Sequence, residues 1–268
     1  MRLDATGKVS LDHIYTAPDP RTYFQELRPL GYCVPQLAKP YFEKLVKEYR
    51  ETEGIAAPRV LDIGCSYGIN AALLKYDLTM DELYARYDGT GPTTRAGLLA
   101  RDQDLSRSRS PANGLRFTGL DASTGALAYA REAGFLDDTV HADLETYDPT
   151  PQQRARLAGT DLVISTGCIG YVTERTLVRV VRAQDGRLPW MAHFVLRMFP
   201  FDPVERALAG LGYRTITVDG VFRQRRFAGP QEQRRVLDGM AAAEVDARGL
   251  EEDGWLYAQL HLSTPRNR

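Results

Sequence analysis

The segment VLDIGCSYG at positions 60–68 places an acidic residue and two glycines directly after a short apolar run. The apolar residues suit a parallel strand that is buried on both faces. Gly64 and Gly68 allow the backbone to turn sharply and to approach a ligand without obstruction by a side chain. A dinucleotide fingerprint needs glycine at the first, third and sixth places of this turn, which are Gly64, Ser66 and Ile69 here. The segment therefore indicates a nucleotide-type cofactor site that lacks the glycine for a pyrophosphate.

The same segment resembles the first motif of class I methyltransferases that use S-adenosylmethionine. That motif is an apolar strand, then Asp or Glu, then G-x-G-x-G. Ser66 replaces the middle glycine, which is a small departure because the residue stays compact and this cofactor has no pyrophosphate. The resemblance implies an enzyme that transfers methyl groups with S-adenosylmethionine as cofactor. It places five residues of the segment at the cofactor: Asp62, Gly64, Ser66, Tyr67 and Gly68.

Two later segments resemble the second and third strands of this family, in the correct order. LRFTGLDAS at 115–123 ends in an acid, and VHADLE at 140–145 contains another. Both acids fall at the carboxyl end of a predicted strand, which is where open α/β sheets bind ligands. The resemblance places Asp121 and Ala122 at the ribose of the cofactor, and Asp143 and Leu144 at its adenine.

DLVISTGCIGYV at 161–172 resembles the fourth strand and the loop that faces the reacting methyl group. The resemblance implies that Ser165 and Thr166 contact the cofactor and that Cys168 lines the substrate pocket. This loop lacks the N-P-P-[YF] signature of enzymes that methylate amide or exocyclic base nitrogens. The sequence therefore argues against DNA adenine, a ribosomal base or a release-factor glutamine as the substrate.

The resemblance and the order of the segments predict an α/β fold. We expect a Rossmann-like, seven-stranded, mostly parallel sheet with its last strand antiparallel and with helices on both faces. Residues 1–57 are predicted to form an N-terminal helical lid, and residues 58–268 the methyltransferase domain. Insertions are expected at about 77–114 and 223–254, and the alternating segment at 255–263 is predicted to be a final edge strand.

The predicted lid contains two helices, with Pro20 and Pro40 at their first positions. Tyr23 and Tyr32 are predicted to line the substrate pocket together with Cys168, because the segment ahead of the first strand commonly closes over the cofactor in this family.

Three residues are candidates for catalysis. The segment that contains His13 and Tyr15 is too polar and too broken by proline to be a core strand. One interpretation is a surface histidine and a packing tyrosine. The other, which makes both residues candidates for catalysis, is that the segment folds over the cofactor, with Tyr15 near the methionine end and His13 within proton-transfer range of the substrate, because histidine titrates near neutral pH. Tyr171, after the fourth strand, is predicted to face them.

Composition limits the classes of partner. The chain has 268 residues, 43% of them hydrophobic, and a formal net charge of −1. A near-balance of acids and bases gives no general affinity for nucleic acid or for an anionic membrane. No apolar run is long enough to span a bilayer, and we expect a cytoplasmic protein. The oligomeric state stays open. Arg223, Arg225 and Arg226 form a basic cluster that we interpret as a solvated face, with an anion site as the alternative.

No metal is predicted. The cysteines and histidines lack the spacing of metal ligands: Cys33, Cys65, Cys168, His13, His141, His193 and His261. Methyltransferases that hold magnesium for a catechol have an Asp after the fourth strand, where this chain has Ser165, Thr166 and Gly167.

The tyrosines near the predicted pocket favour a small organic substrate, most sharply an aromatic heterocycle such as an indole-type intermediate of natural-product biosynthesis, methylated on carbon or nitrogen. Three alternatives remain: an O-methyltransferase of a small metabolite, a protein or RNA methyltransferase, and a non-catalytic protein that binds the cofactor. A macromolecular substrate would favour a basic stripe or a recognition domain, and neither is visible.

Overall fold

The computed structural model describes residues 2–109, 111 and 114–266. Its strands are β1 Arg59–Ile63, β2 Arg116–Asp121, β3 Asp138–His141, β4 Leu162–Thr166, β5 Trp190–Leu196, β6 Tyr213–Thr217, β7 Phe222–Arg226 and β8 Trp255–Pro265. Its helices are α1 Asp12–Tyr15, α2 Arg21–Leu27, α3 Val34–Glu53, α4 Ile69–Lys75, α5 Met80–Arg86, α6 Arg95–Ser108, α7 Thr124–Glu132, α8 Pro151–Leu157, α9 Glu174–Arg182, α10 Asp202–Gly210 and α11 Pro230–Ala242. Residues 110, 112 and 113 of the predicted 77–114 insertion lie outside the described residues, as do residues 267 and 268 of the predicted 58–268 domain.

The strands form one sheet in the order β3-β2-β1-β4-β5-β8-β6, and β7 pairs with β8 outside this path. The first five of these strands are parallel, whereas β8 runs antiparallel to both β5 and β6. Chain order reverses between β1 and β4, so the carboxyl ends of these two strands form a crevice of the kind that binds ligands. The predicted Rossmann-like sheet with an antiparallel last strand is confirmed.

Two details of the sheet differ from the sequence prediction. The last strand is not at the edge, because β8 lies between β5 and β6 and β6 takes the edge. The first half of β8 also pairs with β7, a strand of five residues that begins where an insertion was predicted. The alternation of apolar and polar residues along β8 indicates only that the two faces of the strand differ. Both an edge strand and an inner strand can show this pattern.

Helices cover both faces of the sheet, as predicted. Phe42 and Tyr49 of α3 pack in one core cluster with Val60 and Phe117. On the opposite face, Leu61 packs with residues of α9 and α10. Successive residues of β1 thus enter opposite cores, because side chains alternate across a strand.

The segment before β1 has two parts with different roles. Helix α3 begins at Val34 with Pro35 in its first turn and carries Pro40 inside it, so the prediction that Pro40 starts this helix is wrong. Either proline suits the first turn of a helix, so sequence alone does not choose between them. Most of α3 belongs to the sheet core, whereas residues between 4 and 32 extend over the ends of the strands together with Pro35 at the start of α3.

Candidate functional site

The loop after β1 makes a tight turn through three residues with left-handed backbone. Gly64, Ser66 and Gly68 have φ angles of 66°, 49° and 75°. A Cβ atom on Gly64 would lie 2.7 Å from the Cβ atom of Cys168, which follows β4, so a larger residue does not fit. Ser66 adopts a conformation that costs a non-glycine residue about 1–2 kcal/mol. Glycine would adopt this conformation without that cost.

Asp121 joins this loop to the end of β2. Its Oδ2 accepts a hydrogen bond from the backbone N–H of Ser66 at 2.8 Å, and its Oδ1 accepts one from the N–H of Ser123 at 2.8 Å. Burial raises the pKa of Asp121, although these backbone donors oppose the shift. A carboxylate offers about four acceptor positions, so further lone pairs remain for a ligand.

One cavity of about 460 Å³ lies over the ends of β1, β2 and β4. Its floor includes residues from the loops after these strands, and its roof consists of the N-terminal segment. Ten of the predicted site residues line it: Tyr15, Tyr23, Tyr32, Gly64, Ser66, Asp121, Ala122, Thr166, Cys168 and Tyr171.

A buried polar network lies beneath the cavity. The side-chain amide of Asn70, in the first turn of α4, donates to Asp62 Oδ1 at 3.0 Å and to Thr166 Oγ1 at 3.2 Å. It therefore ties the end of β1 to the end of β4. Asp62 is fully buried, and burial raises its pKa to about 7 although the Asn70 hydrogen bond opposes this.

The raised pKa of Asp62 predicts a pH-dependent stability. Since the ordinary value is 3.8 and the folded value about 7, the protonated form contributes stability below about pH 4 that is lost as pH rises through about 7. The amide of an Asp62→Asn variant does not titrate. We therefore expect the free energy of unfolding of Asp62→Asn, relative to the wild type, to be higher at about pH 8 than at about pH 5. Urea unfolding of both proteins measures this, and a difference that does not change with pH would contradict the assignment.

The tyrosines around the cavity are neutral at physiological pH. Burial raises the pKa of Tyr15 to about 12, and it also raises the pKa values of Tyr32 and Tyr171. Tyr23 contacts Tyr15 and Tyr32 edge to face, with ring centroids 5.9 Å and 6.2 Å apart. These rings present hydroxyl groups for hydrogen bonding and offer no phenolate base.

The N-terminal segment is fixed over the cavity by polar contacts at both ends. Tyr67 is buried outside the cavity lining, and its hydroxyl donates to the carbonyl oxygens of Ile14 and Ala17 at 3.0 Å and 2.8 Å. At the other end, the hydroxyl of Tyr171 donates to Asp4 Oδ2 at 2.5 Å. The segment therefore bridges the loop after β1 and the loop after β4.

His13 lies on the outer side of this segment. Its Nε2 is 2.7 Å from Glu26 Oε1, both side chains are substantially exposed, and His13 does not line the cavity. The structure thus does not bring His13 within proton-transfer range of a molecule in the cavity, in contrast to the prediction. Helix α1 is a single turn, and its direction decides which residues face inward: Ile14 is fully buried and Tyr15 reaches the cavity.

Six other predicted residues do not line the cavity: Asp62, Tyr67, Gly68, Asp143, Leu144 and Ser165. Asp62 lies beneath the cavity and accepts the hydrogen bond from Asn70. Tyr67 holds the N-terminal segment through its hydroxyl, and Gly68 supplies the left-handed turn before α4. Asp143 is exposed after β3, where its Oδ1 accepts hydrogen bonds from the N–H groups of Glu145 and Thr146. Leu144 is a core residue, and buried Ser165 shares a hydrogen bond of 2.8 Å with Nδ1 of His193.

Sequence reasoning missed eight polar residues of the cavity wall: Asp4, Lys8, Asp12, Thr16, Asn70, Ser123, Gln224 and Arg225. Asn70 carried a local signal, because a polar residue in the first turn after a glycine loop is well placed to meet a ligand. Arg225 is only 3% exposed, so the interpretation of its cluster as a solvated face is wrong for this residue. Arg223 and Arg226 instead lie 5.0 Å and 4.6 Å from the ring centroid of Trp255.

Among the described residues, no group of three or more His, Cys, Asp or Glu side chains is arranged to hold a metal ion. We expect turnover to be unchanged after dialysis against EDTA, because no such ligand set meets the cavity. An activity assay before and after dialysis checks this. A loss of activity that magnesium restores would contradict the prediction.

No protein-family model matches this sequence, and no curated protein matches it. Solved structures match this chain at low identity. The plantazolicin methyltransferase BpumL, in complex with a monoazolic desmethyl-plantazolicin analogue and S-adenosylhomocysteine, is 12% identical with a TM-score of 0.45, and the match covers 87% of this chain and 86% of that one. The cyclase SpnF is 14% identical with a TM-score of 0.40, covering 83% and 80%.

A methyltransferase from Geobacter sulfurreducens in complex with S-adenosylhomocysteine is 14% identical with a TM-score of 0.36, covering 84% of this chain and 91% of that one. Within the part of the chain that the structure describes, no helix is both long and apolar enough to cross a membrane.

Proposed function

We propose that this protein is an S-adenosylmethionine-dependent methyltransferase that acts on a small organic molecule. One observation carries the proposal: a single cavity joins the glycine loop and Asp121 to the tyrosines of the N-terminal segment. Its volume of about 460 Å³ falls within the range of about 300–1,000 Å³ that small-molecule sites occupy. The motif residues and an aromatic pocket thus belong to the same space.

The residues at the ends of β1 and β2 fit this cofactor. Asp121 lines the cavity and keeps lone pairs for the two ribose hydroxyls. Gly64 lines the cavity and carries no side chain that could obstruct a ligand. Ser66 Oγ and Asn70 Oδ1 are buried polar atoms without a hydrogen-bond partner among the described residues, and both residues line the cavity. When bound, S-adenosylmethionine supplies an electrophilic methyl group on a sulfonium.

The contribution of the protein to such a reaction is to position the nucleophile and to exclude water. Holding reacting atoms in line contributes on the order of 7–11 kcal/mol, which exceeds the effect of a general base of about 10²–10⁴-fold. Tyr15 and Tyr171 are neutral, and we assign them the role of orienting the substrate through hydrogen bonds. His13 has no part in this assignment.

An aromatic substrate suits the cavity wall best. Tyr15, Tyr23, Tyr32 and Tyr171 provide several ring edges and faces around one volume, and aromatic pairs gain about 0.5–1.5 kcal/mol beyond burial. In its sharpest form, the proposal is that the substrate is an indole-type compound methylated on carbon or nitrogen. The second candidate is a phenol methylated on oxygen.

Radiolabelled S-adenosylmethionine tests the proposal. The protein is incubated with cell extract that has been separated into low-molecular-mass, protein and RNA fractions, and mass analysis identifies the labelled product. Label in the low-molecular-mass fraction supports a small substrate. Label in the protein or RNA fraction overturns the assignment of a small substrate. If calorimetry shows that the cofactor binds but no labelled product forms, the assignment of a methyltransferase activity is overturned. Asp121→Ala is the inactive control, and a panel of indoles and phenols then distinguishes the two forms.

A further inference from the structure

Lys8 is a buried lysine in the cavity wall. It is 7% exposed, and its Nζ lies 5.0 Å from the ring centroid of Tyr171 and 5.9 Å from that of Phe199. No ion pair within 4.0 Å joins its ammonium group to a carboxylate of the described residues. Buried lysines are normally paired, so this cation has an unusual environment.

The nearest acid on the same segment is directed elsewhere. Asp4 Oδ1 accepts hydrogen bonds from the N–H and hydroxyl of Thr6 at 2.8 Å and 2.6 Å, and from the backbone N–H of Lys8 at 3.2 Å. Asp4 Oδ2 accepts a hydrogen bond from the hydroxyl of Tyr171. Asp4 thus shapes the turn and holds the loop after β4, while the Lys8 ammonium group is left facing the two aromatic rings.

The second nearby acid is fully engaged by another cation. Glu232 is completely buried and forms two hydrogen bonds with the guanidinium of Arg225, at 2.6 Å and 3.0 Å. It also accepts the backbone N–H groups of Val9 at 2.8 Å and Ala228 at 2.7 Å. The charge of Arg225 is therefore matched by Glu232, and Lys8 is the buried cation of this wall without such a match.

Lys8 stays charged at neutral pH. Burial lowers its pKa, and the neighbouring Arg225 lowers it further, whereas Asp4 and Glu232 raise it; the result is about 8. An ammonium group in this setting gains most from an anion that enters the cavity, because charges attract more strongly where water is excluded.

The position of Lys8 separates it from the ribose end of the cavity. Tyr171 follows β4, Phe199 follows β5 and Arg225 lies in β7, whereas Asp121 ends β2 on the other side of β1. Strands β2 and β5 are three places apart in the sheet, which corresponds to about 14 Å at the usual strand spacing. Under the proposed function the Lys8 end of the cavity is the substrate end. Gly170, in the loop after β4, has a φ of 113°. A Cβ atom at this position would lie 2.3 Å from the Phe199 ring, so no side chain fits there.

We propose that Lys8 binds a carboxylate of the substrate, so that the substrate is an aromatic compound that carries a carboxylate group. The aromatic part lies among the tyrosines, and the carboxylate takes the ammonium group as its partner. This proposal rests on the proposed function, because that function decides which end of the cavity holds the cofactor. The methionine carboxylate of the cofactor is the other source of the same chemistry, and the experiment separates the two.

Matched pairs of ligands test the proposal by calorimetry on protein saturated with S-adenosylhomocysteine. The probes are benzoate, phenylacetate and indolylacetate, each against its neutral amide. We expect the acids to bind the wild type at least about tenfold more tightly than their amides, which corresponds to about 1.4 kcal/mol. Lys8→Met is expected to remove this preference and to leave amide affinity within about twofold, whereas Lys8→Arg retains the preference.

The controls address folding and the source of the carboxylate. Lys39→Met removes another buried lysine, one that pairs with Asp77 outside the cavity, and is expected to keep the preference. Equal binding of acids and amides, or no binding of any acid, overturns the proposal. If Lys8→Met weakens S-adenosylhomocysteine about tenfold and retains the acid preference, Lys8 binds the cofactor and the proposal is also overturned. Absence of S-adenosylhomocysteine binding to the wild type contradicts the proposed function instead, and the acid preference is then measured on the protein alone.

Discussion

Replacing Asp121 with Ala is expected to weaken S-adenosylmethionine binding by about a hundredfold or more. Under the proposed function this carboxylate accepts both ribose hydroxyls, and each hydrogen bond to a charged group contributes about 1.5–3 kcal/mol. The substitution also removes the acceptor for the N–H groups of Ser66 and Ser123, so the loop after β1 loses its anchor. Calorimetric titration with the cofactor measures the effect.

Two variants separate the loss of ligand contacts from a loss of folding. Asp121→Asn keeps one acceptor oxygen and is expected to bind with an affinity between those of the wild type and Asp121→Ala. Asp185→Ala removes an exposed acid away from the cavity and is expected to bind normally. Thermal unfolding of each variant records its stability. Unchanged cofactor affinity in folded Asp121→Ala would remove Asp121 from the cofactor site.

Deleting residues 2–10 is expected to lower turnover by about a hundredfold or more while the protein still folds. The deleted part includes Asp4, which holds Tyr171, and Lys8, so one wall of the cavity is lost and water enters. Ile14 and Ala17 remain to accept the hydroxyl of Tyr67. A longer deletion would also expose that hydroxyl and remove the fully buried Ile14 side chain.

The measurement is turnover at saturating cofactor on the substrate found by the labelling screen, with circular dichroism to establish folding. We expect cofactor affinity to change by no more than about fivefold, because Asp121 and the glycine loop are retained. His13→Ala is the matched control within the same segment: its side chain pairs with Glu26 on the outer surface, and turnover is expected to stay within about twofold. Normal turnover of the deleted protein would exclude this segment from the mechanism.

Local chemistry determined a large part of the fold. The apolar run with its glycine turn gives β1 and the loop after it, and β2, β3 and β4 each overlap one of the strand segments that were recognised in the sequence. Two helix starts are also encoded locally: the spacing of Thr79 and Glu82 suits the capping box that they form, and Ser123 caps α7. These features depend on neighbours within a few residues, so the sequence contains them directly.

Long-range pairing decided the rest. The sequence predicts the antiparallel strand β8 but not its place between β5 and β6, because that place depends on which strands it pairs with. The inward or outward direction of His13 depends on one turn of helix packed on Tyr67. Lys8 and Arg225 look like surface cations in sequence, since nothing nearby marks a buried lysine or the Glu232 that pairs with Arg225.

The sequence by itself therefore determined the end of the cavity at β1 and β2, where backbone turns and a strand-end acid are encoded within short motifs. Only the tertiary structure decided the opposite end, where the N-terminal segment, the loop after β4 and β7 meet from distant parts of the chain. The physical reason is that burial changes the chemistry of a side chain, and burial results from the packing of the whole molecule.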